Sequence, residues 1–282
     1  MDQGKKIILL SGPTASGKSK LALKLSQKIK SQIINADSMQ VYKELSILTS
    51  RPSVIDLKIT KHFLYGFQSV QKNFSTGEWL KLAILKIKEC LSCNCIPIIV
   101  GGTGLYFKSL TDGLVRIPDI PYDLRNKVRK LHKQLGQKKF FNKLIILDPL
   151  AIKFVSPTDT HRTLRAYEVK TFTNKSLFLL KQNTKSYFNQ NIFKKIFINP
   201  PRELLHNKIN ARVEEMFEDG VIDEVKNFLQ VKKNKELSSN KILGINEIKN
   251  YLEGKMTLDR TKELIKQKTR QYAKRQLTWS RG

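Results

Sequence analysis

Apolar positions along the chain follow two periods. Ile7-Ile8-Leu9-Leu10 and Ile96-Pro97-Ile98-Ile99-Val100 are continuous apolar runs, the pattern of strands buried on both faces of a sheet. Leu21, Ala22, Leu25 and Ile29 recur at helical spacing after the first run, as do Leu80, Ala83, Ile84, Ile87 and Leu91 within residues 79–91. Residues 31–36 read as a second strand and 62–66 as a short strand or turn. Strands alternating with helices predict an α/β fold, a parallel sheet flanked by helices.

The pattern changes after Asp112-Gly113. Pro118 and Pro121 break the chain, and 122–135 then reads as a helix crowded with Arg125, Lys127, Arg129, Lys130 and Lys133. A second basic helix is predicted over 160–170, a polar loop with scattered aromatics over 171–191, and a strand returning to the sheet over 195–200. These divide the chain into a core of 1–115 with 194–282 and a helical insertion of 116–193. The last third is helical. Leu205, Ile209, Val213 and Phe217 mark a helix over 202–219 with Gly220 as its C-cap, and 222–229 continues it. A closing helix over 258–279 carries Lys262, Lys266, Lys268, Arg270, Lys274 and Arg275, with Tyr272 and Trp279 between the charges.

Composition narrows the function classes. Lysine and arginine total 52 against 24 acids, a net charge of +28. A Lys-rich soluble surface would account for that, and so would a polyanionic partner such as nucleic acid. No run of apolar residues is long enough to span a membrane, and the first residues lack the order of a signal peptide, so a cytoplasmic protein with no membrane partner is expected. Cys90, Cys93 and Cys95 stand close together without a fourth ligand nearby. They read as small buried residues at a helix end rather than as a zinc site.

The sharpest motif is Gly12-Pro13-Thr14-Ala15-Ser16-Gly17-Lys18-Ser19, set between the first strand and the first helix. That context makes G-x-x-x-x-G-K-[ST] a P-loop. Gly12 and Gly17 let successive amides turn inward toward an anion, the helix start adds its positive dipole end, Lys18 brings a charge and Ser19 offers a hydroxyl to Mg²⁺. Asp37 sits where the second strand ends, the place where α/β sheets gather ligands. It is a candidate catalytic or metal-binding acid, or else a cap for the segment that follows. Gly101-Gly102-Thr103-Gly104 follows the 96–100 strand as a second glycine-rich turn, with Thr103 supplying a hydroxyl. No clear Walker B strand, an apolar run ending in aspartate with a following acid, is present, and no N-K-x-D motif is found. Nucleotide-hydrolysing motors therefore fit poorly. A small-molecule kinase, a transferase that holds a diphosphate leaving group, and a nucleotide-switched (ATP-binding) RNA-binding protein remain.

GPTASGKS at 12–19, NADSMQVY at 35–42, PIIVGGTGLY at 97–106, DPLAIKFVSPTDTHRTLRAYEV at 148–169, RVEEMFEDGVIDEV at 212–225 and TRQYAKRQLTW at 269–279 run in one order across the chain. In this the chain resembles the tRNA dimethylallyltransferases. The resemblance implies transfer of a dimethylallyl group from its diphosphate to N6 of the adenine at tRNA position 37. It implies a P-loop at residues 12–19 holding diphosphate with Mg²⁺ at Ser19, Lys18 stabilising the leaving group, and Asp37 as the base. Thr103 would stand near the reacting bond, and Arg212 would be a further diphosphate ligand. Contacts to the tRNA anticodon stem-loop are implied at Asp37, Ser38, Met39, Gln40, Thr103, Arg125, His161, Arg162, Thr163, Leu164 and Arg165, in an enzyme expected to be a monomer. The family's L-D-I-G-T-A-K-P reads here Leu45-Ser46-Ile47-Leu48-Thr49-Ser50-Arg51-Pro52, while His161, Lys208 and Ile245 stand where Gln, Arg and Tyr are usual.

Overall fold

A computed structural model of the chain describes residues 6–182, 184–231 and 237–281. They form two compact units, Met1–Thr111 with Tyr187–Gly282, and Asp112–Ser186. In chain order the elements are β1 Ile7–Ser11, α1 Lys18–Lys28, β2 Ser31–Asn35, α2 Val54–Ile59, β3 His62–Phe63, α3 Thr76–Ser92, β4 Ile96–Gly101 and α4 Gly104–Asp112. There follow α5 Tyr122–Leu147, α6 Thr160–Thr173, α7 Leu177–Gln182, β5 Phe193–Phe197, α8 Arg202–Glu218, α9 Val221–Val231, α10 Ile245–Leu252 and α11 Leu258–Arg281.

The first unit is built on a parallel sheet of strand order β3-β2-β4-β1-β5. β1 and β4 are the two apolar runs, and they pair side by side in the middle of the sheet, as strands with no polar face must. One face packs Ile7, Leu9, Ile34 and Ile99 against Trp79, Ala83 and Ile87 of α3. A second cluster joins Val41, Leu45 and Leu48 to Val213, Val225, Phe228, Ile245 and Ile265 of the C-terminal helices. β5 starts at Phe193, which pairs with Ile7, so the returning strand lies earlier than the 195–200 expected. Pro200 and Pro201 end it, since proline has no amide to donate and restrains the residue before it.

The second unit differs more from the sequence pattern. The 122–135 helix is the first half of α5. The element resumes beyond Gly136, whose φ of 72° breaks the helix, and its second half buries Phe140, Phe141 and Leu144. The loop expected over 171–191 instead holds the end of α6, with Asn174 in the left-handed conformation as its cap, and then α7. Phe178 of α7 packs into the cluster of Phe141, Leu144, Ala151, Val155 and Ala166. Of the scattered aromatics in this stretch Phe178 is core, whereas Phe172 and Tyr187 are exposed. Cys90 and Cys95 are buried at the end of α3, whereas Cys93, expected with them, is exposed. Among the described residues no helix is long and apolar enough to cross a membrane.

Trp79 ties the sheet to α3. It is fully buried, stacks on Tyr106 at 4.2 Å between ring centroids, and donates its indole N–H to the carbonyl of Asn35 at 2.7 Å. Replacing it with alanine removes an aromatic core anchor and orphans a buried carbonyl. Trp79→Ala is expected to lower unfolding free energy by about 3–5 kcal/mol in urea denaturation.

Candidate active site

Three loops leave the carboxyl ends of neighbouring strands and meet. The first, from β1, is the P-loop. Gly17, at φ 88°, caps α1, so that Lys18 and Ser19 are the first residues of the helix, where amides lack partners within it. Lys18 is buried and donates from Nζ to the carbonyl of Pro13 at 3.1 Å. Burial lowers its pKa to about 8; the charge of Asp37 works against that shift and Arg212 adds to it. The Ser16 hydroxyl is buried with no hydrogen-bond partner, a donor inside the loop with nothing to donate to.

The second loop, from β2, carries Asp37. The fully buried Asn35 fixes it from both sides. Its carboxamide oxygen accepts the Asp37 N–H at 2.8 Å, and its Nδ2 donates to the carbonyls of Asp37 and Leu64, each at 2.9 Å. One carboxylate oxygen of Asp37, Oδ1, accepts the Met39 N–H at 2.9 Å. This closes a side-chain turn of the cap kind, though no helix follows directly. The third loop, from β4, crosses the second. A Cβ on Gly101 would lie 2.1 Å from the Ala36 backbone, so only glycine allows the approach. Thr103 donates its N–H to the Ala36 carbonyl at 3.1 Å. Its hydroxyl accepts the Ser38 N–H at 2.9 Å and donates to the Ser38 hydroxyl at 3.2 Å.

The first two loops open on a cavity of about 930 Å³ whose lining includes Thr14, Lys18, Ser19, Asp37, Arg51 and Arg212. Arg212, on α8, donates to the Thr14 hydroxyl at 2.8 Å and to the Thr49 carbonyl at 3.2 Å. Burial lowers its pKa, opposed by the nearby charges of Asp37 and Glu215. A smaller cavity of about 50 Å³, bordered by Asp37 and Arg212, is walled by Met39, Leu48, Val213, Met216 and Ile265. The site thus offers buried cations and amides for an anion, one carboxylate for a proton, and an apolar recess beside them.

Of the residues singled out from sequence, the P-loop from Gly12 to Ser19, Asp37, Ser38, Met39, Gln40, Thr103 and Arg212 come together in the first unit. Gln40 is engaged internally, its Nε2 donating to the carbonyls of Thr49 and Ser50 at 2.9 and 2.8 Å. Arg125, His161, Arg162, Leu164 and Arg165 lie in the second unit. There Arg162 faces Asp159 at 3.4 Å and Arg165 faces Glu168 at 3.6 Å, while His161 is exposed. Thr163, expected at the RNA, turns inward in the free chain. It is fully buried, and its hydroxyl donates to the Asp159 carbonyl at 2.6 Å and accepts from Gln137 at 3.2 Å, so it holds α6 in place.

Sequence reasoning assigned no role to Glu224. Its carboxylate accepts the amides of Ser46, Ile47 and Leu48 and the Ser46 hydroxyl at 2.6–2.9 Å, pinning the loop that carries Thr49 and Arg51. The signal was present only as an acid inside a helical motif. Arg51, standing for the lysine of the related pattern, keeps a cation in the cavity wall and donates to the Lys43 carbonyl at 3.1 Å.

The donors suit the expected Mg²⁺. Ser19 is exposed in the cavity wall with Asp37 nearby in the same lining, and among the described residues no group of three or more His, Cys, Asp or Glu could hold a metal alone. One hydroxyl with few carboxylates fits an ion that keeps its waters and takes the rest of its ligands from phosphate.

A family model described as IPP transferase matches residues 40–282. The tRNA dimethylallyltransferase of Pelagibacter ubique (strain HTCC1062) is 54% identical over 281 residues, covering 100% of this chain and 90% of that protein. That of Rickettsia bellii (strain OSU 85-389) is 44% identical, covering 98% and 88%. Among solved structures, the full-length tRNA isopentenylpyrophosphate transferase from Bacillus halodurans aligns with a TM-score of 0.70 at 30% identity, over 99% of this chain and 87% of that one. A eukaryotic dimethylallyltransferase acting on tRNA aligns with a TM-score of 0.83 at 26% identity, over 98% and 70%.

Lys18 makes anion binding sensitive to pH. Bound diphosphate raises its pKa again, so binding takes up a proton near pH 8, and affinity falls as pH rises through about 8. Isothermal titration with inorganic diphosphate in two buffers of different ionisation enthalpy reads that proton as the difference in uptake between wild type and Lys18→Arg, whose guanidinium stays charged. In the free protein the sign reverses. The folded pKa lies below the unfolded 10.5, so the unfolded chain holds more protons between the two values, and the Lys18 contribution to stability rises with pH across that window.

Proposed function

The chain belongs to the IPP transferase family, and from that premise we propose that it transfers a dimethylallyl group from dimethylallyl diphosphate to the exocyclic N6 of the adenine at tRNA position 37, releasing diphosphate. The observation that carries this is the pairing in one cavity of Lys18 and Arg212, cations of a phosphate site, with Asp37, a carboxylate fixed at a strand end.

The residues divide the work by charge. As the allylic carbon–oxygen bond breaks, negative charge grows on the departing oxygen. The amides at the start of α1, Lys18 and Arg212 are in place to meet it without reorganising. N6 forms the new bond to that carbon and sheds a proton, which passes to the Asp37 carboxylate. Asn35 keeps that carboxylate aimed by holding the Asp37 backbone at both its N–H and its carbonyl. Mg²⁺ held at Ser19 and on the donor's phosphates would neutralise further charge on the leaving group. The apolar side chains of Met39, Leu48 and Ile265 beside Asp37 are the surface that the five-carbon group would meet. Thr103 holds Ser38, and through it the loop of the base.

Adenine N6 cannot reach a buried carbon while stacked in an anticodon loop, so the base is extruded to react. The helical unit Asp112–Ser186 contacts tRNA through Arg125, His161, Arg162, Leu164 and Arg165, its cations and those of α11 meeting the phosphates, which gives the net charge of +28 its purpose. One chain holds the whole catalytic set, so a monomer suffices, working in the cytoplasm on its tRNA.

A P-loop kinase is the competing enzyme. With tRNA and labelled dimethylallyl diphosphate, label should pass to tRNA; label passing instead from the γ-phosphate of ATP, with none from the allyl donor, would overturn the proposal. Asp37→Asn should lower turnover by at least about 10²-fold with tRNA affinity unchanged in a filter-binding assay. Across the same assay tRNA affinity should fall steeply with added salt, log K declining linearly with log salt; a flat response would mean that the basic helices do not touch RNA.

A further inference from the structure

Gln276 on α11 lies outside every role assigned above, yet it is buried against two of the three loops. Its Oε1 accepts the N–H of Thr14 in the P-loop at 2.8 Å, and its Nε2 donates to the carbonyl of Gly102 at 3.0 Å. The approach is close enough that a Cβ on Gly102 would lie 2.1 Å from Nε2. The orientation of the carboxamide is fixed by chemistry, since Thr14 offers only a donor and Gly102 only an acceptor.

We infer that Gln276 is a positioning residue for prenyl transfer, setting the spacing between the loop that holds the leaving diphosphate and the loop that carries Thr103. This rests on the transferase function proposed above. The two loops descend from the adjacent strands β1 and β4, which fix their roots but leave their tips free to part. One carboxamide bridges the tips, directly at Thr14 and Gly102. Arg212 seizes the Thr14 hydroxyl and Ser38 the Thr103 hydroxyl, so a shift at either anchor reaches the leaving group or the base. No other side chain of this length both accepts and donates. Glutamate keeps the acceptor for Thr14 but turns a carboxylate oxygen on the Gly102 carbonyl, and methionine keeps the shape and neither bond.

The test compares full-length Gln276→Glu and Gln276→Met with wild type in single-turnover transfer at saturating dimethylallyl diphosphate and tRNA. Alongside it run binding of inorganic diphosphate, binding of tRNA and the melting temperature. A misplacement of reacting groups by about an ångström costs on the order of 10²-fold in rate. Both variants should lose about that factor while diphosphate and tRNA affinities stay within about threefold of wild type and melting temperature holds. The glutamate variant carries a further signature. Protonation restores its donor, so its rate relative to wild type at each pH should climb as pH falls. Variants within about twofold of the wild-type rate would overturn the inference, as would rate losses that track lost melting temperature or lost substrate binding with no pH-dependent recovery. A wild-type enzyme that transfers no prenyl group would instead overturn the function on which the inference rests.

Discussion

Buried positive charge in search of an anion governs this molecule. Lys18 and Arg212 are held in one cavity wall with Asp37, and burial pulls the pKa of both cations down. Removing charge from water is expensive unless it is paired, and Asp37, Glu215 and Asp219 in the lining do not balance Lys18, Lys20, Arg51, Lys208 and Arg212, the inward amides of a helix start and an unpartnered hydroxyl at Ser16. The site is unfinished until a multiply charged anion enters it. In the proposed reaction, the same imbalance that costs stability in the free protein serves to stabilise a diphosphate as it departs.

The rest of the first unit serves to hold that imbalance still. β1, β2 and β4 lie side by side and send their loops to one edge. Side chains then fasten those loops: Asn35 at both sides of Asp37, Gln40 and Glu224 on the Thr49 segment, Thr103 on Ser38. Where a nucleotide-hydrolysing protein would end a central strand with a metal-binding acid, β4 ends in Gly101 and gives the space to the backbone of Ala36. The acid at this edge of the sheet is instead Asp37, just beyond the neighbouring strand β2 and restrained by Asn35. That exchange suits chemistry at a carbon atom attached to the phosphate better than chemistry at phosphorus.

Much of this was legible in the sequence, for physical reasons that differ by element. β1 and β4 are buried on both faces and so appear as apolar runs, and the P-loop is read from local geometry alone. Asp37 stands out because strand ends collect ligands, and its bond to the Met39 N–H closes a turn as its alternative reading as a cap expects. The errors concern residues whose environment is built from afar. Thr163 sits in a basic helix, but its burial comes from packing against α5. α7 has only 6 residues, too few for a helical period to show, and its Phe178 is buried by residues as far upstream as Phe141. Glu224 acts on a loop 176 to 178 residues away, and Gln276 reaches the P-loop across 262, separations at which spacing carries no signal.

The central claim is that the P-loop holds a leaving group attached to carbon and that the acceptor is an adenine in tRNA. Its most direct test is nucleoside analysis of tRNA incubated with the protein and dimethylallyl diphosphate in the absence of any nucleoside triphosphate. The account predicts that one adenosine per tRNA, that next to the anticodon, gains a single five-carbon unit on N6 while one diphosphate is released. Unmodified tRNA, or modification that appears only when ATP is added, would contradict it.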